Sequence, residues 1–278
     1  MQELPPKYKK LVNQYKPIEV DGFTLYPFTV EHYEEYLVAS RAIGYMQQEL
    51  PIELMSIPLL SAFFKMDVEK VMQREPATGL FTSAVVALIL ALRLANDDEN
   101  VLDAFKKIVP ITDANDPTKL KHLAFEDAET KELRTITPVQ FIKFRTIIAA
   151  QNGIEIPDEL ENPELVQAER DLAEKRAPKL KVTESDLIGA AAALTGADEE
   201  EIYGWAVLKL TRRLASFRRI IDYMMCSIAE GSGTTFKHGN PVPHPFFERL
   251  KEGSDALISM ESFAGGQGIK AMQDAGVV

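Results

Sequence analysis

Apolar positions along this chain change period, and each change predicts a different kind of element. Ile18 and Val20 alternate with polar residues before Asp21-Gly22, and Phe23 and Leu25 alternate after it. Asp-Gly between alternating apolar residues predicts a β-hairpin, because a type I′ turn needs positive φ at both central positions. An isolated two-stranded hairpin is marginal in water, so this one must pack on helices or pair with another strand. Thr29 reads as the N-cap of a helix over VEHYEEYLVASRAIGYM, with Glu31 in its first turn. Pro51 and Pro58 punctuate the next stretch, which continues as LLSAFFKMD, and Asp67 reads as the cap of a further short helix, VEKVMQRE. Residues 80–94, LFTSAVVALILALRL, are apolar on every face; the run carries Thr82, Ser83 and Arg93 and is shorter than the ~18–20 residues of a membrane span, so it predicts a helix buried in a protein core.

Alternation returns between Ile108 and Thr137. KLKHLAFED and KELRTIT flank a polar turn near Ala128–Lys131 and predict a second hairpin, whose strands are expected to join the first in one small sheet. From Thr137 the pattern is helical. Thr137-Pro138-Val139-Gln140 supplies a cap, a proline at N1 and a glutamine at N3, and the helix stops at Asn152-Gly153. Thr183 with Asp186 starts another helix, which ends at Gly196. Asp198 with Glu201 then opens what reads as one long helix to residue 230. Leu210, Leu214, Phe217, Ile221, Met224 and Ile228 are spaced 4, 3, 4, 3 and 4 apart and lay a single apolar seam along it. Lys209, Arg212, Arg213, Arg218 and Arg219 sit among them.

Beyond Gly231 the pattern is lost. Gly231-Ser232-Gly233 breaks the helix, Pro241, Pro243 and Pro245 bias the residues before them towards extended conformations, and Phe246, Phe247, Leu250, Leu257, Ile258, Met260 and Phe263 are apolar anchors in an otherwise polar arm. This arm either folds back over the helices to cover the seam or docks into another subunit. The expected architecture is mainly α with small β-hairpins (α+β), its C-terminal half helical and ending in an extended arm. The expected division is an N-terminal α+β region over 1–154, an acidic linker or short helix over 155–182, a helical region over 183–230 and the arm over 231–278.

Composition narrows the function classes. The 278 residues are 46% hydrophobic and 26% charged, the make-up of a globular chain with material for a core. A net charge of −11 argues against non-specific binding to nucleic acid or to anionic membrane. Residues 155–175 hold eight acidic and two basic side chains, so the basic positions of the long helix read as a solvated or internally paired face, as a docking surface for an acidic partner, or as a nucleic-acid contact. Cys226 is the single cysteine; it cannot form an internal disulfide, and its apolar neighbours point to an inert thiol. The N-terminal MQELPPKYKK has no apolar h-region, so no secretory signal is expected.

No constellation of residues specifies a reaction. His238 and His244 lie six apart with only Glu248 near them, short of the three protein ligands of a catalytic zinc site. Gly231-Ser232-Gly233 follows a helix and lacks the Gly-Lys-Ser/Thr of a phosphate loop, as does Gly265-Gly266-Gln267-Gly268. No G-x-S-x-G elbow occurs. No cofactor and no catalytic residue is therefore expected. The expected partner contacts are Trp205, Arg212, Arg213, Phe217 and Arg219 on the helix and Phe246, Phe247, Leu257 and Phe263 on the arm, although the spacing of Trp205 and Phe217 also suits a core.

EIYGWAVLKLTRRL after LTGADEE, then the EGSG break and NPVPHPFFERLKEGSDAL, resembles proteins of bacteriophage and prophage tail-morphogenesis modules, tail assembly chaperones above all. The similarity covers mainly residues 180–263. It implies a non-enzymatic, largely helical, acidic protein of the host cytoplasm that binds the tape-measure protein and tail-tube subunits. Homo-oligomers are compatible with this reading, and the net charge of −11 leaves neither nucleic acid nor membrane as an expected partner. A permanent tail or baseplate component of the virion is the first alternative. A nucleic-acid-binding regulator acting through the basic helix face, and a hydrolase or transferase with a carboxylate site, are the others.

Overall fold

The computed structural model describes residues 4–95, 101–127, 131–157, 168, 171–172, 175, 182–236 and 240–245. The chain forms two compact units, Met1–Pro163 with Tyr203–Leu208, and Glu164–Ile202 with Lys209–Val278. The fold is mainly helical with two small antiparallel sheets.

In the first unit, α1 (Pro6–Asn13) leads into the hairpin of β1 (Ile18–Val20) and β2 (Phe23–Leu25). Asp21 and Gly22 take φ of 49° and 79°, the two positive values the turn requires, and Val20 pairs with Phe23 across it. Ile18, Phe23 and Leu25 are buried. A 3-10 turn over Val30–His32 opens α2 (Tyr33–Ile43), which packs on α4 (Leu80–Leu92) beside α3 (Leu59–Met72) and α6 (Pro138–Asn152). Helix α4 is the all-apolar run; Ser83 through Ala91 are buried continuously along it. A short α5 (Val101–Phe105) precedes β3 (Val109–Thr112), β4 (Leu120–Glu126) and β5 (Leu133–Ile136).

The strands do not join in one sheet. β1 and β2 stand alone, and β3, β4 and β5 form a second sheet in that order. The strand absent from the sequence reading is β3. It carries Pro110, which cannot donate to a ladder and so belongs on an edge, and most of its residues are exposed, which blurs the alternation. Leu123, Phe125 and Ile136 face the core. Arg134 joins the two sheets: it donates to Asp127 at 3.0 Å and to the carbonyl of Gly22, and its guanidinium lies 4.0 Å over the Phe23 ring.

Buried polar side chains hold this unit together. Thr137 and Gln140 form the expected capping box at the start of α6. At its end, Asn152 accepts from Phe28 N–H at 2.8 Å and donates to Ile148, while Gln151 donates to the Leu25 carbonyl at 3.0 Å. Gly153 follows with φ 69°, and a Cβ there would stand 2.9 Å from Leu208 Cδ1, so glycine serves both the turn and the packing. Asp67 starts no helix. It sits within α3, where its carboxylate accepts from Thr78 N–H at 2.7 Å and Phe81 N–H at 3.2 Å. It thereby caps α4, whose own cap residue, Gly79, has no side chain to offer.

Helix α7 (Glu184–Thr195) lies in the second unit and begins with the expected Thr183–Asp186 capping box. The expected single helix over 198–230 is in fact two, α8 (Glu199–Tyr203) and α9 (Val207–Gly231). Between them the chain turns at Gly204 and bends at Trp205 before the bridge residue Ala206. Val30 N–H donates to the Trp205 carbonyl and Val207 N–H to that of Phe28, both at 2.9 Å, with Ala206 bridged to Thr29. These bonds to a distant segment replace the helical ones, which no local pattern announces. Among the described residues, no helix is long and apolar enough to cross a membrane.

Candidate interaction surface

Helix α9 presents two opposed faces in the second unit. One carries Arg219, Tyr223 and Ser227. Segment 240–245, which bends at Pro241–Val242, lies against it and runs antiparallel to the helix. Asn240 Nδ2 donates to the Tyr223 carbonyl at 3.3 Å and to Ser227 Oγ at 3.1 Å; one turn back, Arg219 donates to the Pro243 carbonyl at 3.1–3.2 Å and to that of His244 at 2.7 Å. The His244 ring meets Tyr223 edge-on at 4.8 Å. The alternating prolines explain why this works. They remove backbone donors and disfavour helix in the residues before them, so the carbonyls of Pro243 and His244 close no helical turn and remain available to a guanidinium fork.

The other face is the apolar seam. Leu210 is buried and Leu214 and Phe217 are half-buried, but the seam opens to solvent beyond them. Ile221, Met224, Met225 and Ile228 are 51%, 56%, 62% and 60% exposed. At about 100° per residue these four share one side of the helix, and Arg219, Tyr223 and Ser227 lie on the other. Residues 240–245 thus fold back onto the helix, as one of the two readings of the arm held, but on the face away from the seam.

The helix charges are partly engaged within the chain. Arg218 stands 4.0 Å from Asp222, an i,i+4 pair. Burial raises the Asp222 carboxyl above its usual range despite this neighbour, and burial also lowers Arg218. Burial, with the charge of Arg213, lowers Lys209. The Cys226 thiol is half-buried and pushed up by burial and by Asp222 and Glu230, the direction of an unreactive thiol.

The expected contact residues fall into three groups. Trp205 is 6% exposed and belongs to the first unit, so its indole is a core side chain. Arg212, Arg213, Phe217 and Arg219 are all on α9, with Arg213 exposed, Arg212 and Phe217 half-buried and Arg219 bound to the folded-back segment. Phe246, Phe247, Leu257 and Phe263 lie outside the described residues. On α9 the sequence reading chose Phe217 and the arginines as contacts and left out the exposed seam members Ile221, Met224 and Ile228, although it had placed all three on the seam; Met225 beside them lies outside the 4-3-4 spacing.

Elsewhere, the first unit has a shallow open cleft of about 340 Å³ lined by Leu4, Tyr8, Val20, Asp21, Lys143 and Ile147 among others. Its two charges pair with each other, Lys143 Nζ to Asp21 Oδ2 at 2.9 Å, so they serve to seat the hairpin turn on α6. Among the described residues, no group of three His, Cys, Asp or Glu side chains is placed to hold a metal ion. The chain matches no protein-family model, no curated protein and no solved structure.

Proposed function

We propose that this chain is a tail assembly protein of a phage or prophage, acting without catalysis in the host cytoplasm by holding tape-measure or tail-tube subunits during morphogenesis. The observation that carries the reading is the row Ile221, Met224, Met225 and Ile228, apolar and open on a helix whose opposite face is already covered. An apolar strip of this kind on a regular helix suits a helical client segment, which would add its own i, i+3, i+4 anchors to it. The internal bonds of Arg219 favour a protein client over nucleic acid, because that guanidinium already serves the chain's own carbonyls.

Capture of tail subunits from induced cells tests the proposal. The wild-type chain is expected to retain tape-measure or tube protein, and a variant carrying M224E and M225E is expected to lose it. Failure of the wild-type chain to retain either subunit at native expression overturns the reading. Mass spectrometry of purified particles separates it from a permanent virion component, which would be present in stoichiometric amount.

A further inference from the structure

We infer that the exposed end of the seam is a self-complementary docking site, on which a second copy of this chain packs its own α9 antiparallel to the first. The four exposed residues form a palindrome: Ile221, two residues, Met224, Met225, two residues, Ile228. A twofold-symmetric interface pairs a patch with itself, so residue i meets residue j and j meets i. With the axis between Met224 and Met225, an antiparallel partner sets Ile221 against Ile228 of the second copy and Met224 against its Met225. Like shapes meet at both ends, and the flexible methionines fill the centre.

The polar surroundings fit the same arrangement. Opposed helix dipoles attract when antiparallel and repel when parallel. The same axis places Arg218 of each copy beside the last turn of the other α9, which ends at Gly231 without a basic residue of its own, so the cation meets the negative end of the partner's helix dipole. A parallel pair sharing this seam would instead bring the Arg213 and Arg218 rows of the two copies together, like charge against like. The segment 240–245 stays on the outer face and is no obstacle.

Four side chains from each copy fall short of the ~800 Å² per partner of a standard interface, so the dimer is expected to be weak and concentration-dependent. Each copy carries a net charge of −11, so added salt tightens the pair by screening the repulsion between them. A charge-driven dimer would loosen instead. This inference goes beyond the proposed function and does not depend on it: the test uses the purified full-length chain alone, so its failure leaves subunit capture standing, and the reverse also holds.

Sedimentation across a concentration series is expected to show a mass rising from 31.1 kDa towards twice that value, with the midpoint lower at high salt. M224E with M225E places four carboxylates at the twofold axis and is expected to keep the chain monomeric, with unchanged helical circular dichroism. In a C226S background, a short bis-maleimide is expected to join I221C chains to I228C chains several-fold more than it joins either to itself, since like positions lie about 10 Å apart along the paired helices. A monomer throughout the series overturns the inference, whether the seam is then covered by residues beyond 245 or is free for a foreign helix. So does a dimer that survives M224E with M225E, or cross-links predominantly between like positions.

Discussion

The first unit buries Phe28, Phe63, Phe141 and Phe144 completely, and edge-to-face contacts tie its elements together, Phe23 to Phe144 at 5.3 Å and Tyr45 to Phe63 at 5.2 Å. In the second unit the buried apolar side chains among the described residues are Ile188, Ala191, Ile202 and Leu210, and the large apolar side chains of its long helix run out into solvent. The large core cluster draws every member from the first unit. One unit buries its apolar surface within itself, and the other leaves the row Ile221, Met224, Met225 and Ile228 exposed. If the exposed row serves the contacts proposed above, stability and interaction reside in separate parts of one sequence, and substitutions should divide accordingly.

The largest effect is expected from Phe144→Ala, which removes a fully buried ring that touches Phe23. Such truncations cost about 3–5 kcal/mol, the transfer term plus the cavity left behind. Urea denaturation followed by near-ultraviolet dichroism should show the loss in the first unit, with dimer formation unchanged in the chain that remains folded. Loss of dimerisation under those conditions would break the division. Next come the buried polar anchors. Asn152→Ala orphans the Phe28 N–H, and Asp67→Ala orphans those of Thr78 and Phe81. Each is expected to cost about 1–3 kcal/mol, the desolvation penalty of an unpaired buried group.

Those anchors also mark where sequence reading stops. The Asp-Gly turn, the all-apolar α4 and the boxes at Thr137 and Thr183 were legible because each is a local pattern with a local cause. Asp67 was misread because an aspartate before a helical run looks like that helix's own cap; its real acceptor role is to a helix fourteen residues on. The interruption at Trp205–Ala206 was hidden for the same reason, since its hydrogen bonds go to residues 28–30. Pro110 and the exposed residues of β3 gave no alternation to find. On the interaction surface the seam itself was legible, but periodicity cannot say which end of a seam is buried. That is decided by what packs against Leu210 and what does not pack against Ile228.

Alkaline pH probes the first unit by another route. Burial, with a lesser push from Tyr33, raises the Tyr36 phenol from 10.0 to about 12. Between those values the unfolded chain gives up this proton while the native chain keeps it. Stability fully present below pH 10 is therefore lost as pH rises towards 12. Tyr36→Phe should flatten that decline in urea midpoints measured from pH 9 to 11.5, and an unaltered slope would place the titration elsewhere. A smaller, local effect is expected in the second unit from Arg219→Lys, which keeps the charge but loses the fork that reaches two carbonyls. Limited proteolysis should then cut between Gly233 and Pro245 several-fold faster, with the global urea midpoint unmoved.

The smallest effect is the one that bears hardest on the comparison. Met225→Gln and Ile228→Thr replace side chains that are 62% and 60% exposed. If the face they share is kept for other molecules, the isolated monomer gains nothing from them, and each change should leave its stability within about 0.5 kcal/mol, as for surface positions generally. The measurement must be made well below the dimer's dissociation constant, because association stabilises by mass action and would disguise the result. A loss of 2 kcal/mol or more, on the scale of a buried side chain, would mean that the second unit closes over this seam with residues of its own. The two units would then differ in size and not in kind.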